Sequence, residues 1–167
     1  FSDHVEHYLP PKKGRGHIWR LIRDILSYQS HSLKTNLKVP LEFLNQVIKR
    51  KSIAFLISDF QDTRFDTELR TTARHHDLIA LAVHDPREFT LPRIGYIELE
   101  DAETDEAILV NTNQRGFLDQ FSSSSKHNLK TRTDFFRSSG IDFVALNTQS
   151  SYIDPLVKFF RKREKKR

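Results

Sequence analysis

Apolar residues recur along this chain in two patterns. Ile18, Leu21, Ile22, Ile25 and Leu26 follow helical spacing, which predicts an amphipathic helix over about 17–28. Leu37, Leu41, Leu44 and Ile48 mark a second helix, closing near the basic pair Lys49-Arg50, with Pro40 tolerated only in its first turn. Ile53 to Ile57 is instead a short unbroken apolar run. Its length and β-branched content predict a strand buried on both faces, ended by Ser58-Asp59. Residues 66–75 read as a helix, and Leu78 to Val83 as a second buried strand, closed by His84-Asp85-Pro86. Residues 96–100 and 107–111 read as a hairpin around the polar turn Ala102 to Glu106. Phe117, Phe121, Leu129 and Phe136 predict a long or broken helix over about 114–138, with the run Ser122 to Ser125 as a weak point. Past Gly140, Ile141 to Leu146 is a third buried strand. Asp154-Pro155 then opens a last helix, Asp154 capping and Pro155 at the first helical position. Upstream of all these, residues 5–9 read as a short edge strand stopped by Pro10-Pro11.

Helices alternating with continuous apolar strands mean an α/β fold: a mostly parallel sheet with helices on both faces and an added hairpin near 95–111. At 167 residues the chain is long enough for one domain and hardly two, so 1–167 is read as a single domain with a basic tail over 158–167. No apolar run approaches the length of a membrane span. With no cysteine there is no disulfide, thiol catalysis or zinc–thiolate site, and a reducing, cytoplasmic setting is the expectation. There is no methionine either, and the chain opens on Phe1 followed at once by Ser2-Asp3, polar residues typical of a strand end. The expectation is a fragment whose upstream part is missing.

Charge changes the picture only at one end. The net charge is +5, yet the last ten residues hold seven bases and one acid, so the rest of the chain sums to −1. The bases read as a solvated helix end beside the C-terminal dipole, and no specific nucleic-acid binding is expected.

In open parallel sheets, ligands bind outside the carboxyl ends of the strands. That rule selects Ser58, Asp59, Asp85 and Thr148. Asp59 follows the most hydrophobic strand directly, where a carboxylate faces solvent, a cation or a helix N-terminus. No glycine-rich dinucleotide or P-loop motif and no nucleophile elbow is present. His75-His76-Asp77 reads as a helix-to-strand turn, because adjacent histidines point to different faces and no third ligand keeps spacing with them. Asp85-Pro86-Arg87-Glu88 reads as a loop held by an Arg–carboxylate bracket.

Several of these segments together resemble one bacterial family. They are Phe1-Ser2-Asp3 with Val5, Pro10-Pro11, Gly14, Thr35-Asn36-Leu37, Phe55 to Phe60, His76 to Ala80 and Asp85 to Glu88. Leu91-Pro92 to Gly95, Asp101 with Glu103-Thr104, Tyr152, Phe159-Phe160 and Arg163 continue the likeness over nearly the whole chain. The family is the one called domain of unknown function 58, with a von Willebrand factor A-like domain.

The resemblance implies a Rossmann-like A domain with a metal-ion-dependent adhesion site. Such a site binds Mg²⁺ through an upstream D-x-S-x-S, a threonine on a second loop and an aspartate after a buried strand. Thr35 matches the threonine and Asp59 the aspartate, with Ser58 beside it where many A domains carry threonine. The D-x-S-x-S is absent, so two of the five implied ligands are present and no firmly bound Mg²⁺ is expected. Family members accompany MoxR-type AAA+ ATPases, which implies a protein-binding module in assembly or chaperone-like work. A Mg²⁺-dependent hydrolase or phosphotransferase using Asp59 and Asp85 is the alternative. A sheet lacking its central strand also leaves Ile53, Phe55 and Ile57 exposed, so self-association through the open sheet is expected.

Overall fold

In the computed structural model, residues 1–62, 65–100 and 107–165 are described. The elements are α1 (Arg15–Ser27), α2 (Lys38–Val47), β1 (Ile53–Ser58), α3 (Asp66–His75), β2 (Asp77–His84), β3 (Tyr96–Glu100), β4 (Ala107–Asn111), α4 (Phe117–Ser138), β5 (Asp142–Asn147) and α5 (Ile153–Glu164), with a 3₁₀ turn at Pro86–Glu88 between β2 and β3. Strands β1, β2 and β5 form a parallel sheet in the order β1-β2-β5, while β3 and β4 pair antiparallel as a separate hairpin. The hairpin strands match their expected bounds; its turn, Ala102 to Glu106, lies outside the described residues.

Helices cover both faces of the parallel sheet. On one face Leu41 of α2, Leu69 of α3 and Phe136 of α4 close over Leu56 of β1 and Leu78, Ala80 and Ala82 of β2. On the other face α5 brings Leu156 and Phe159 against Ile79, Leu81, Val144 and Leu146. The odd and even residues of β2 therefore go into two different cores, which is why its run is continuous rather than alternating. Arg163 of α5 pairs with Asp77 and lies 3.3 Å from Asp142, fastening the end of α5 to the starts of β2 and β5. One base of the tail is thus structural, whereas Lys158, Arg161, Lys162 and Lys165 are exposed.

Three expectations need correction, and the alternative left open for α4 is decided. Strand β1 is not buried on both faces. It lies at the edge of the sheet, and Ile53, Phe55 and Ile57 are 58%, 47% and 57% exposed, as the open-sheet expectation had them. Helix α5 brings the Phe160 ring to 6.3 Å from that of Phe55, between centroids, and still leaves Phe55 exposed. Residues 5–9 form no strand: the segment lies across a cleft from the outer side of β1 without pairing to it. Glu6 instead ties this segment to the loop after α1, accepting bonds from the Tyr28 and Ser30 hydroxyls and the His31 N–H. Helix α4 runs unbroken through Ser122 to Ser125, its apolar residues outweighing the weak propensity of serine. Helix α5 begins two residues earlier than expected, so Asp154 and Pro155 sit inside the first turn and no side chain caps the helix.

Other local signals act as expected. Gly140 adopts φ +69 directly after the Ser139 cap of α4, a left-handed conformation that glycine takes without a Cβ penalty. His76 caps α3 and is buried at the turn into β2, where burial foremost, then the neighbouring His75 charge, lowers its pKa. Among the described residues no helix is long and apolar enough to cross a membrane.

Candidate functional site

The carboxyl ends of β1, β2 and β5 bring four of the sequence candidates to one edge. β1 ends at Ser58, and the chain turns sharply: Phe60, a non-glycine residue, has φ +57. Such a conformation costs about 1–2 kcal/mol, and full burial of the Phe60 ring against Phe65 and Phe136 offsets it. The turn is held by local bonds. The Phe60 N–H donates to Ser58 Oγ at 3.0 Å, and Asp59 Oδ1 accepts from the Gln61 N–H at 3.2 Å and from the Ser58 hydroxyl at 3.3 Å. Asp59 itself is exposed, with both of these contacts on one carboxylate oxygen.

Thr35 lies half-buried in the loop before α2. That loop is joined to the Asp59 turn by Asp62, whose carboxylate accepts the Leu37 N–H at 3.0 Å. It is joined to the N-terminal segment by the Asn36 N–H, which donates to the Ser2 carbonyl at 3.1 Å. The two loops that carry Thr35 and Asp59 are therefore bonded neighbours. Hydroxyl and carboxylate oxygens are the donors that hard divalent cations take. Among the described residues no group of three or more His, Asp or Glu could hold a metal ion, so Thr35 and Asp59 suit Mg²⁺ only in the kind of donor they offer.

Asp85 and Thr148 meet directly. The Thr148 hydroxyl donates to Asp85 Oδ2 at 3.3 Å, and the Thr148 N–H donates to the His84 carbonyl at 3.1 Å, continuing the β2–β5 ladder past its end. Asp85 Oδ1 accepts the Arg87 N–H at 2.8 Å, while Glu88 reaches back to the Asp85 N–H at 2.9 Å. This is a reciprocal capping box. The Asp85-Pro86-Arg87-Glu88 turn is thus bracketed by backbone N–H groups, not by an Arg–carboxylate pair as expected.

Beside Asp59 opens a cleft of about 290 Å³ that no sequence motif signalled. Gln61 from the β1–α3 loop, His84 from the end of β2, Glu88 and Phe89 from the 3₁₀ turn, and one stripe of α4 line it. The stripe is Phe121, Ser125, Asn128, Leu129 and Arg132, spaced by fours and threes, so helical periodicity alone set these residues on one face. The half-buried Arg132 guanidinium donates through Nη1 to the Asp59 carbonyl, 73 residues away in sequence. Burial lowers its pKa, opposed by the charges of Asp59 and Glu88. The His84 ring packs edge-on against Phe89, with its Nδ1 buried and without a partner among the described residues.

With this geometry in hand, comparison with known proteins is informative on lineage. The model of the family described as Protein of unknown function DUF58 matches residues 1–131. An uncharacterised protein of Mycobacterium avium is 26% identical over 162 residues, covering 94% of both chains. Uncharacterised proteins of Mycobacterium tuberculosis and Mycobacterium bovis are each 25% identical over 160 residues, covering 94% of this chain and 50% of the relative. The chain thus spans about half the length of those relatives. No solved structure matches it.

Proposed function

The chain belongs to the DUF58 family, and from that premise we propose that it is a protein-binding module of the von Willebrand factor A type, in which Thr35 and Asp59 contribute to a Mg²⁺-dependent adhesion-type site. The observation that carries this reading is the junction of the two loops: the Asp62–Leu37 bond draws the Thr35 loop to the Asp59 turn at the carboxyl edge of the sheet. The edge position of β1 supports it. The outer side of that strand has no ladder partner among the described residues, and the cleft beside it is lined by Val5, His7 and Tyr8 facing Ala54, Phe55 and Leu56. In this reading a further strand of a longer polypeptide seats there and brings the remaining ligands, and a carboxylate of the bound protein completes the cation's shell. A MoxR-type AAA+ ATPase is the proposed partner, in a cytoplasmic setting. The hydrolase alternative is disfavoured, because both oxygens of Asp85 are already engaged in holding its loop.

The test is capture of the MoxR-type ATPase by the full-length protein in Mg²⁺ and in EDTA, for wild type and Asp59→Ala. Capture in Mg²⁺ that is lost in both other arms supports the reading. Capture indifferent to EDTA and to Asp59→Ala refutes it.

A further inference from the structure

The cleft beside Asp59 has an unusual charge arrangement. Arg132 is half-buried, yet it spends one N–H on the neutral carbonyl of Asp59, and among the described residues no carboxylate pairs with it within ion-pair distance. A guanidinium presents five donors in a rigid fork shaped for a carboxylate, and partial burial strengthens any such pairing. The one carboxylate in the lining, Glu88, gives its Oε1 to the Asp85 N–H in the capping box, and its charge, like that of Asp59, acts on Arg132 from beyond ion-pair distance. Asn128 and Gln61 add amides, Ser125 a hydroxyl and His84 a ring nitrogen, Nδ1, that lacks a partner among the described residues. Phe89, Phe121 and Leu129 supply apolar walls beside the guanidinium.

We propose that this cleft is a binding site for a carboxylate, with Arg132 as its anchor and the amides of Asn128 and Gln61 as accessory donors. The site is distinct from the Thr35–Asp59 pair, since it uses no metal. It is nonetheless linked to it, because Gln61 and Arg132 both bond the Asp59 residue. A protein partner that offers one carboxylate to a cation at Asp59 would insert a second acidic side chain here. That extension rests on the Mg²⁺ reading; the carboxylate site itself does not. Two sources share this chemistry, an acidic side chain in a peptide and a free small carboxylate.

The experiment is an NMR titration of the protein in EDTA with sodium glutamate in one arm and a hexaglutamate peptide in the other, following the amides of 59–61, 84–89 and 121–132. Saturable shifts confined to these segments are expected. A peptide that binds more tightly than glutamate identifies a protein partner as the source, and equal affinities identify a small carboxylate. Arg132→Gln is expected to weaken binding about tenfold or more, the loss of a charge-assisted hydrogen-bond pair. Arg132→Lys keeps the charge without the fork and falls between the two. Ser125→Phe fills the cleft from α4 without removing the Arg132–Asp59 bond, and is expected to abolish the shifts. Shifts absent in both arms, or unchanged in Arg132→Gln and Ser125→Phe, overturn the proposal. Because the titration is done in EDTA, that failure is separate from failure of the Mg²⁺ reading.

Discussion

Phe136 is the residue on which the candidate site depends most at a distance, and its truncation makes a quantitative test. The side chain is fully buried and touches three other rings: Phe143 at 4.9 Å, Phe60 at 5.1 Å and Phe135 at 5.6 Å between centroids. Phe136→Ala removes the transfer free energy of a whole aromatic side chain, about 1.5–3 kcal/mol, and leaves a cavity whose walls are themselves large rings. Lost ring–ring contacts add about 0.5–1.5 kcal/mol. The expected destabilisation is therefore about 4 kcal/mol, a large fraction of the roughly 5–15 kcal/mol by which domains are stable. Urea unfolding followed by far-UV circular dichroism measures it, and a midpoint drop of about 2 M is expected for a typical slope. Trp19 is exposed on α1 and is no reporter of this core. The neighbour Arg137 is the control: it is exposed, with an i,i+3 ion pair to Asp134 at 3.4 Å, and Arg137→Ala is expected to cost no more than about 0.5 kcal/mol. The functional consequence follows from helix geometry. Arg132 lies one turn before Phe136 on the same face of α4, so a loosened Phe136 anchor also frees the guanidinium that holds the Asp59 carbonyl. A loss below about 1 kcal/mol for Phe136→Ala would refute the claim that this ring cluster locks α4 to the sheet.

Three further outcomes are expected. Wild-type chain self-associates through the open edge and exposed face of β1, and Ile57→Lys lowers the assembled fraction in size-exclusion chromatography with light scattering; a wild-type chain that stays monomeric at high concentration contradicts this. The Glu6 carboxyl is held down to about 2 by the Ser2 hydroxyl foremost, then by Ser30 and the His31 N–H. A lowered folded pKa stabilises above the ordinary value of 4.5, so the tie between residues 1–9 and the 28–31 loop is kept at neutral pH and is lost as pH falls from 4.5 through about 2. The His31 amide resonance reports this, and an unchanged resonance across that window would contradict it. Asp85→Ala removes both the cap and the Thr148 contact, with an expected loss of about 1–2 kcal/mol in thermal or urea unfolding; no loss would mean that the turn holds without its capping box.

Most elements were legible along the chain. The bounds of α3, β3 and β4, the stop at Gly140 and the three apolar strands rest on periodicity and turn residues, which act within a few positions of one another. The candidates Ser58, Asp59, Asp85 and Thr148 were legible for a related reason, since any polar residue that ends a buried parallel strand must stand at the ligand-binding edge. What the chain order could not convey was the rank of the strands. Ile53 to Ile57 and Leu78 to Val83 look alike in sequence, yet one is an edge strand with a bare face and the other is central and covered on both sides. Strand order depends on which neighbours pair, and pairing is a contact between segments far apart. The same holds for the site. Helical spacing gathered Phe121, Ser125, Asn128 and Arg132 onto one stripe, but nothing local aims that stripe at a turn 73 residues away. The same distance problem hid the Asp62–Leu37 bond, formed across 25 residues. The sequence by itself determined the elements and the chemistry at strand ends, because those depend on short-range patterning. Only the tertiary structure decided the order of the strands and which cation lies behind Asp59, because both are set by packing across the sheet.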